Sequence, residues 1–231
     1  MRRVLMILVV VLLVGPAYGQ TWTETGDAAA LLPGQSTAGS GALSTITGTL
    51  SSGNDADLFA IYLDQPTSFS AQTCGGTSID SALFLFDSSG NGVSTSEDGC
   101  GVQSSITALF VTTPGLYYIA MTAWDYDPLN GSGLEIWNDT PWGSEHAADG
   151  PGAPGPLAGW GGSGGGSGAY SIFLTGTIFA SQVTTGACCF ASTGQCQVMA
   201  ADTCQSQGGT YQGDNTGCIP NNCPQPPTGA C

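Results

Sequence analysis

The chain has 231 residues, and its charge is one-sided, because seventeen Asp and Glu residues are accompanied by only two Arg and no Lys. Both arginines, Arg2 and Arg3, lie at the amino terminus, so the only other side chain that can become cationic is His146. Nucleic acids are excluded as partners, since neutralising phosphates requires Lys or Arg, and anionic membrane surfaces are disfavoured. The carboxylates must instead be solvated, hydrogen-bonded to backbone N–H groups or paired with metal ions.

Residues 1–19 have the pattern of a secretory signal peptide. After the two arginines, Val4–Val14 is an apolar run, and Ala17-Tyr18-Gly19 places small residues at the positions that determine cleavage. The apolar run is too short to span a bilayer comfortably. We therefore expect secretion, a mature chain that starts at Gln20, and no membrane insertion after cleavage.

The nine cysteines are unevenly distributed, which predicts two kinds of disulfide unit. Cys74 and Cys100 stand apart and are expected to pair with each other. Six cysteines between Cys188 and Cys223 are expected to form three disulfides, whose connectivity the spacing leaves open. A unit of this size needs cross-links to hold together, and without a C-x-x-C pair or a nearby His it is not expected to bind zinc.

An internal repeat marks the end of the chain. Thr185-Gly186-Ala187-Cys188 recurs as Thr228-Gly229-Ala230-Cys231, so residues 228–231 are interpreted as the start of a truncated second repeat. Cys188 and Cys189 are adjacent, and in a disulfide-dense unit we expect them to bond to different partners.

Short apolar segments separated by Gly, Pro and Asn turns predict an all-β domain over residues 20–180. Asp57–Leu63 alternates between two faces, Ala82–Phe86 is apolar on both faces as a central strand would be, and Leu116–Ala123 follows a Pro-Gly turn. Further strands are predicted at 45–50, 67–73, 105–111 and 169–179, after an irregular lead-in at 20–41. Regular spacing of short strands favours a β-sandwich or jelly roll.

A Gly- and Trp-rich insertion near residues 125–168 interrupts this pattern, and 150–168 is predicted to lack regular structure. Four tryptophans lie within it or at its edge: Trp124, Trp137, Trp142 and Trp160. They are interpreted either as anchors that pin the insertion to the sandwich or as an exposed stacking surface that binds a glycan or another polymer.

Calcium is the cofactor that the sequence suggests. Asp87, Ser89, Asn91 and Asp98 occupy positions one, three, five and twelve of an oxygen-ligand spacing that has Gly92 at position six. These four residues are the predicted ligands. The alternative is a plain hairpin in which Asp and Asn are turn formers.

Two shorter acidic pairs are weaker metal candidates, Asp55 with Asp57 and Asp125 with Asp127. No catalytic constellation is evident, because the single His146 lies in the insertion and no carboxylate pair stands out as a glycosidase pair. The chain is therefore predicted to be non-enzymatic.

Three segments carry a family resemblance: Asp55–Phe59, Asp80–Asp87 and Gly115–Tyr118. Over Leu43–Thr177 the chain resembles a bacterial pre-peptidase C-terminal (PPC) type domain. The resemblance implies a β-sandwich, and it implies that binding of calcium or of a polymer such as collagen is a property of some relatives, while others act as spacers. The cysteine unit resembles Gly-Ala-Cys-Cys repeats of large secreted bacterial proteins.

Together these observations predict four segments: a signal peptide at 1–19, a PPC-like sandwich at 20–180, a disulfide-rich repeat at 181–227 and the start of another repeat at 228–231. The predicted function is that of a secreted, non-enzymatic surface or extracellular protein in adhesion or structure, with an extracellular polymer or a surface protein as partner. The alternative is a glycan- or polymer-binding module that uses the aromatic residues of the 124–160 loop.

Overall fold

The computed structural model describes residues 19–141, 143–214, 216–218, 221, 223 and 224. The predicted signal peptide (apart from its last residue), Trp142 and the predicted second repeat lie outside the described residues. Among those described, no helix has both the length and the apolar character needed to cross a bilayer.

The fold is all-β, as predicted, and over the described residues it includes one short α-helix and three single-turn 3-10 helices. Its strands are β1 (Gln20–Thr23), β2 (Gln35–Ser36), β3 (Leu43–Leu50), β4 (Ala56–Leu63), β5 (Ser70–Gln72), β6 (Ser81–Asp87), β7 (Gly92–Ser96), β8 (Ser105–Thr107), β9 (Gly115–Ala123), β10 (Tyr126–Asn130), β11 (Leu157–Gly162), β12 (Gly168–Thr175), β13 (Thr177–Phe179), β14 (Thr185–Phe190), β15 (Gln195–Ala200) and β16 (Thr210–Tyr211), and its helix is α1 (Ala201–Ser206).

Two sheets pack face to face as a β-sandwich. The five-stranded sheet has the order β1-β3-β12-β5-β8, and the six-stranded sheet has the order β13-β4-β9-β6-β7, with β2 beside β4. Between them lies one apolar core, to which alternate residues of each strand contribute, as the period of a strand requires. Its fully buried members include Ile46, Phe59, Leu83, Ile119 and Ile172. The predicted central strand, β6, is an internal strand, while β9 occupies the centre of its sheet.

The six-stranded sheet is apolar on its outer face too, because the insertion covers it. Phe84, Phe86 and Tyr118 point outward and pack against Ile136 and Trp137 of the insertion. The expectation that residues 150–168 lack regular structure is wrong in part, since β11 pairs with β10 as an antiparallel ribbon. The pairing of β11 with β10 and the packing of β11 apolar side chains outweigh the low strand propensity of glycine. The spacing of residues in the sequence reveals neither contact.

The lead-in is also more regular than predicted. β1 pairs in parallel with β3, and β2 pairs in parallel with β4, so residues 20–36 extend both sheets.

The two ends of the sandwich meet at one place. The Gln20 N–H donates to the Ala42 carbonyl over 2.8 Å, and the Gln182 amide exchanges two hydrogen bonds with the backbone of Gly41.

One disulfide and a buried hydroxyl network fasten the two sheets together beside β6. Cys74 is bonded to Cys100, the pairing that their positions in the sequence predict. Beside this disulfide, the hydroxyls of Thr73, Ser81 and Ser104 hydrogen-bond to one another over 2.8 and 3.2 Å, and all three residues are fully buried. Buried hydroxyls that satisfy one another avoid the cost of unpaired polar groups.

The carboxy-terminal unit is a three-stranded sheet, ordered β15-β14-β16, with α1 beside it. Its disulfides are Cys188–Cys204, Cys189–Cys223 and Cys196–Cys218. The adjacent cysteines bond to different partners, as predicted. Disulfides of this number form and persist in an oxidising environment.

Replacing both Cys74 and Cys100 by Ser is expected to lower the free energy of unfolding of the sandwich by about 3.5 kcal/mol, because the bond closes a loop with a sequence separation of 26. For a domain of this size the melting temperature should fall by roughly 7–14 °C. Calorimetry of the double variant measures this shift. The matched control is Cys196→Ser with Cys218→Ser, which should leave the transition of the sandwich in place, and an equal shift in both variants would contradict the prediction.

Candidate metal centres

The four predicted calcium ligands do not come together. Asp87 is a turn former: its Oδ1 accepts the N–H groups of Ser89 and Asn91 over 2.8 and 3.0 Å, and its Oδ2 accepts the Asn91 side-chain amide. The residues after this turn form β7, which is about 13 Å long and carries the chain to the opposite end of the hairpin, where Asp98 lies exposed. The residues from Asp87 to Asp98 therefore belong to a hairpin, with the two aspartates at its opposite ends.

The insertion tryptophans are mostly packed against the sheet. Trp137 is 4% exposed and its ring centre lies 5.5 and 5.4 Å from those of Phe84 and Phe86. Gly92 makes room for this ring, because a Cβ there would lie 2.6 Å from its edge. Trp160 is half-buried, stacks on Tyr126 and donates its indole N–H to the Ala30 carbonyl over 2.7 Å.

These contacts support the anchor interpretation for two of the four predicted ligand-binding tryptophans, Trp137 and Trp160. Trp142 lies outside the described residues. Trp124 is different, because it is 40% exposed and borders a cavity of about 260 Å³ together with Asp80, Asp98 and Val102.

The first acidic cluster is formed by Glu97, Asp125, Asp127 and Asp139, which we call the insertion cluster. Glu97 directly follows β7, Asp125 and Asp127 lie at the start of β10, and Asp139 belongs to the insertion after Trp137. One carboxylate oxygen from each of the three aspartates lies within 4.8 Å of the others. Asp127 also shares a side-chain hydrogen bond with Asp125, so the two carboxyls are in direct contact.

Glu97 and Asp127 are deeply buried, with exposures of 7% and 9%. Burial raises the pKa of Glu97 to about 8, and the charges of Asp139 and Asp125 add to this rise. Burial likewise raises the pKa of Asp127 to about 8, helped by the hydrogen bond and the charge of Asp125. The Oε2 atom of Glu97 is buried without a hydrogen-bond partner, and leaving such an atom unpaired costs free energy.

Glu145 shows how a carboxylate of the insertion is normally satisfied in this fold. Its Oε1 accepts the Ser94 hydroxyl over 2.6 Å, and its Oε2 accepts both the N–H and the hydroxyl of Thr107 over 2.8 and 2.6 Å. The next residue, His146, exchanges backbone hydrogen bonds with Thr95 of β7. The insertion is therefore fastened along the β7 edge immediately before Glu97, whose own carboxylate keeps one oxygen unpaired.

The second acidic cluster comprises Glu24, Asp27 and Asp57, which we call the lead-in cluster. Asp57 of β4 is fully buried; its Oδ2 accepts the Tyr170 hydroxyl over 2.6 Å, and its Oδ1 has no partner. Glu24 accepts the N–H groups of Ala28 and Thr49, and the three carboxylates each place an oxygen within 4.8 Å of the others. Pairing of β1 with β3 brings these segments together.

The lead-in cluster lies beside an open cavity of about 670 Å³ whose wall includes Gly26, Gly48 and Tyr170. A Cβ at Gly48 would collide with the Tyr170 hydroxyl and lie 2.8 Å from the Glu24 Oε2, so this position needs glycine. Burial raises the pKa of Asp57 to about 8; the Tyr170 hydrogen bond opposes the shift, and the charge of Glu24 reinforces it.

Both clusters have the chemistry of a hard-cation site. Calcium binds carboxylate oxygens at 2.3–2.6 Å, so two oxygens on the same ion lie at most about 5 Å apart. With no Lys or Arg after Arg3 in the sequence, a buried carboxylate oxygen that lacks a hydrogen-bond donor has two means of compensation, protonation or a bound cation.

Sequence reasoning identified only parts of these clusters. Asp125, Asp127 and Asp57 were weak candidates by proximity in sequence, whereas Asp55 accepts the Ser51 N–H as a local turn former. No local sequence pattern marks Glu24, Asp27 or Asp139 as a ligand. The parallel pairing of β1 with β3 brings the first two to their partners, and the folded-back insertion brings Asp139 to its partners.

Because three carboxyls titrate near 8 when folded and near 4 when unfolded, the unfolded chain releases protons first as the pH rises. The metal-free protein should therefore be most stable in acid and lose stability progressively towards pH 8. In EDTA, we expect the melting temperature to fall between pH 5.5 and 8, where ordinary carboxyls are already ionised. Differential scanning calorimetry should show a weaker fall in the variant D57N/E97Q/D127N, and an equal fall in both proteins would contradict the assignment.

No protein-family model matches the chain, and no match to a curated protein was found. The PPC resemblance of residues 43–177 therefore stays a prediction, and what can be concluded about function depends on the fold and the two acidic clusters.

Proposed function

We propose that this chain is a secreted, non-enzymatic extracellular protein that acts in adhesion or structure, with a calcium ion at the lead-in cluster that stabilises its sandwich. Asp57 carries this proposal. A carboxylate with one unpaired oxygen lies fully buried in a fold that has no Lys or Arg after Arg3 to compensate it, and two further carboxylates converge on it.

The lead-in residues fit such an ion. Glu24 and Asp27 come from the segment after β1, and Asp57 comes from β4, so an ion held by all three would connect the amino-terminal segment to the sandwich. Bound calcium would supply the positive charge that makes the ionised form of Asp57 stable when buried. Disulfides and a cation together would suit a protein that must keep its shape outside the cell.

Calcium at a concentration about 100-fold above its dissociation constant should stabilise the folded protein by about 2.7 kcal/mol, which raises the melting temperature by roughly 5–11 °C. Substituting Asp57→Asn should remove the part of this gain that the lead-in cluster contributes. The variant is expected to fold, since Asn can still accept the hydrogen bond from Tyr170. Melting curves in EDTA and in millimolar calcium test this.

Asp64→Asn is the matched control, because it removes one exposed carboxylate that belongs to neither acidic cluster. It should respond to calcium as the wild type does. A calcium response of D57N equal to that of the wild type would overturn the lead-in site.

Adhesion is tested by sedimentation of the purified mature protein with insoluble cellulose, chitin, peptidoglycan and collagen. We expect retention on at least one polymer, weakened by EDTA, without release of soluble fragments. Steady release of fragments that a single carboxylate substitution abolishes would instead identify a hydrolase.

A second function, glycan binding, is favoured by Trp124. Its exposed ring, with Asp80 and Asp98 at the same cavity, could stack on a sugar while the carboxylates accept its hydroxyl groups. Trp124→Ala should then abolish retention on one polysaccharide, whereas Leu109→Ala, at another exposed apolar residue, should not. If the Trp124 variant is retained as strongly as the wild type, glycan binding by this ring is rejected and the structural role remains.

A further inference from the structure

We propose that the insertion cluster is a second, independent calcium site, in which one ion held by Asp125, Asp127, Asp139 and Glu97 fastens the insertion to the edge of the six-stranded sheet. This inference goes beyond the proposed function, because it shares no ligand with the lead-in cluster.

The geometry of the three aspartates suits one ion. Their nearest oxygens lie within 4.8 Å of one another, which matches the separation of ligands on a common calcium at about 2.4 Å. They come from two segments: Asp125 and Asp127 lie at the start of β10, and Asp139 lies in the insertion beyond Trp137. Carboxylates gathered in this way repel one another unless a cation or a proton lies between them.

Glu97 is the independent observation that points to a ligand. Only 7% of Glu97 is exposed to solvent, and its Oε2 atom has no hydrogen-bond partner. The charges that act on it most strongly belong to Asp139 and Asp125, so its carboxylate lies near the aspartates, although it is not one of the three carboxylates whose oxygens all lie within 4.8 Å of one another. Glu145 receives three hydrogen bonds from the fold. Glu97 Oε2, by contrast, receives none.

The ion would join elements that already lie together. The β7 strand is paired with His146 of the insertion two residues before Glu97, and β10 carries the insertion away from β9. A cation shared by Glu97 and the three aspartates would connect the end of β7 to the start of β10 and to the insertion near Asp139. It would also fix the segment that leads to Trp137, whose ring covers Phe84 and Phe86.

The donor set selects calcium over other common divalent ions. Carboxylate oxygens suit hard cations, and calcium accepts six to eight oxygens in flexible geometry, whereas magnesium demands near-ideal octahedral geometry and keeps several waters. Asp139 is exposed, which leaves room for water or backbone oxygens to complete the coordination. Zinc would favour nitrogen or sulfur ligands, and the four proposed ligands offer only oxygen.

The test is isothermal titration calorimetry of calcium into the disulfide-bonded protein after removal of metal with EDTA. The wild type should bind two ions. Asp127→Asn and Glu97→Gln should each remove one of them or weaken its binding at least tenfold, while Asp57→Asn should remove the other. Asp64→Asn should still bind two.

Hydrogen exchange supplies a readout that a loss of fold would not imitate. Calcium should slow exchange of the backbone amides in residues 125–162 of the wild type and of D57N, and should leave those of D127N unchanged. Amides of β3 and β12 should show the same protection in D127N as in the wild type when both are in EDTA, which establishes that the variant is folded.

The outcomes separate the two sites. One ion that D127N removes and D57N does not would support this inference and overturn the lead-in site. One ion that only D57N removes would overturn this inference, and the insertion cluster would then be a set of carboxyls that share protons. Two ions in D127N with unchanged affinity would also overturn it.

Discussion

The structure depends on one constraint, namely that buried carboxylates have no Lys or Arg to pair with after Arg3. Some carboxylates meet it with backbone or hydroxyl donors, as Asp87 and Glu145 do. Among the residues that the structure describes, Asp57 and Glu97 each keep a buried carboxylate oxygen without a hydrogen-bond partner. In an apolar environment a lone charge is far more costly than a paired one, so these two positions indicate where an external cation has most to contribute.

The insertion is best understood as a third layer of the domain. A sheet that is apolar on both faces must be covered on both, and β4, β6 and β9 are buried along almost their whole length. The five-stranded sheet covers one face, while Ile136, Trp137 and the β10–β11 ribbon cover the other. Glu145 and His146 fasten this layer at the β7 edge, so packing and polar contacts act on the same segment.

Local patterns in the sequence predicted the parts of the fold that depend on neighbouring residues. The apolar run Ala82–Phe86 became an internal strand, and Cys74 and Cys100 are bonded as their isolation suggested. The ligand spacing from Asp87 to Asp98 falls on a hairpin, and spacing alone does not distinguish a loop from a hairpin whose second strand uses the same residues. The two acidic clusters depend on long-range pairing, β1 with β3 for one and a folded-back insertion for the other, which no single segment reveals.

The meeting of the two ends of the sandwich at Gly41 and Ala42 has a mechanical consequence. Gln20 and Gln182 are both hydrogen-bonded to this one junction, so a force that pulls these two residues apart acts on it directly. The pulling force is therefore carried first by these few hydrogen bonds, and the pairing of β1 with β3, which begins at Gln20, bears it next.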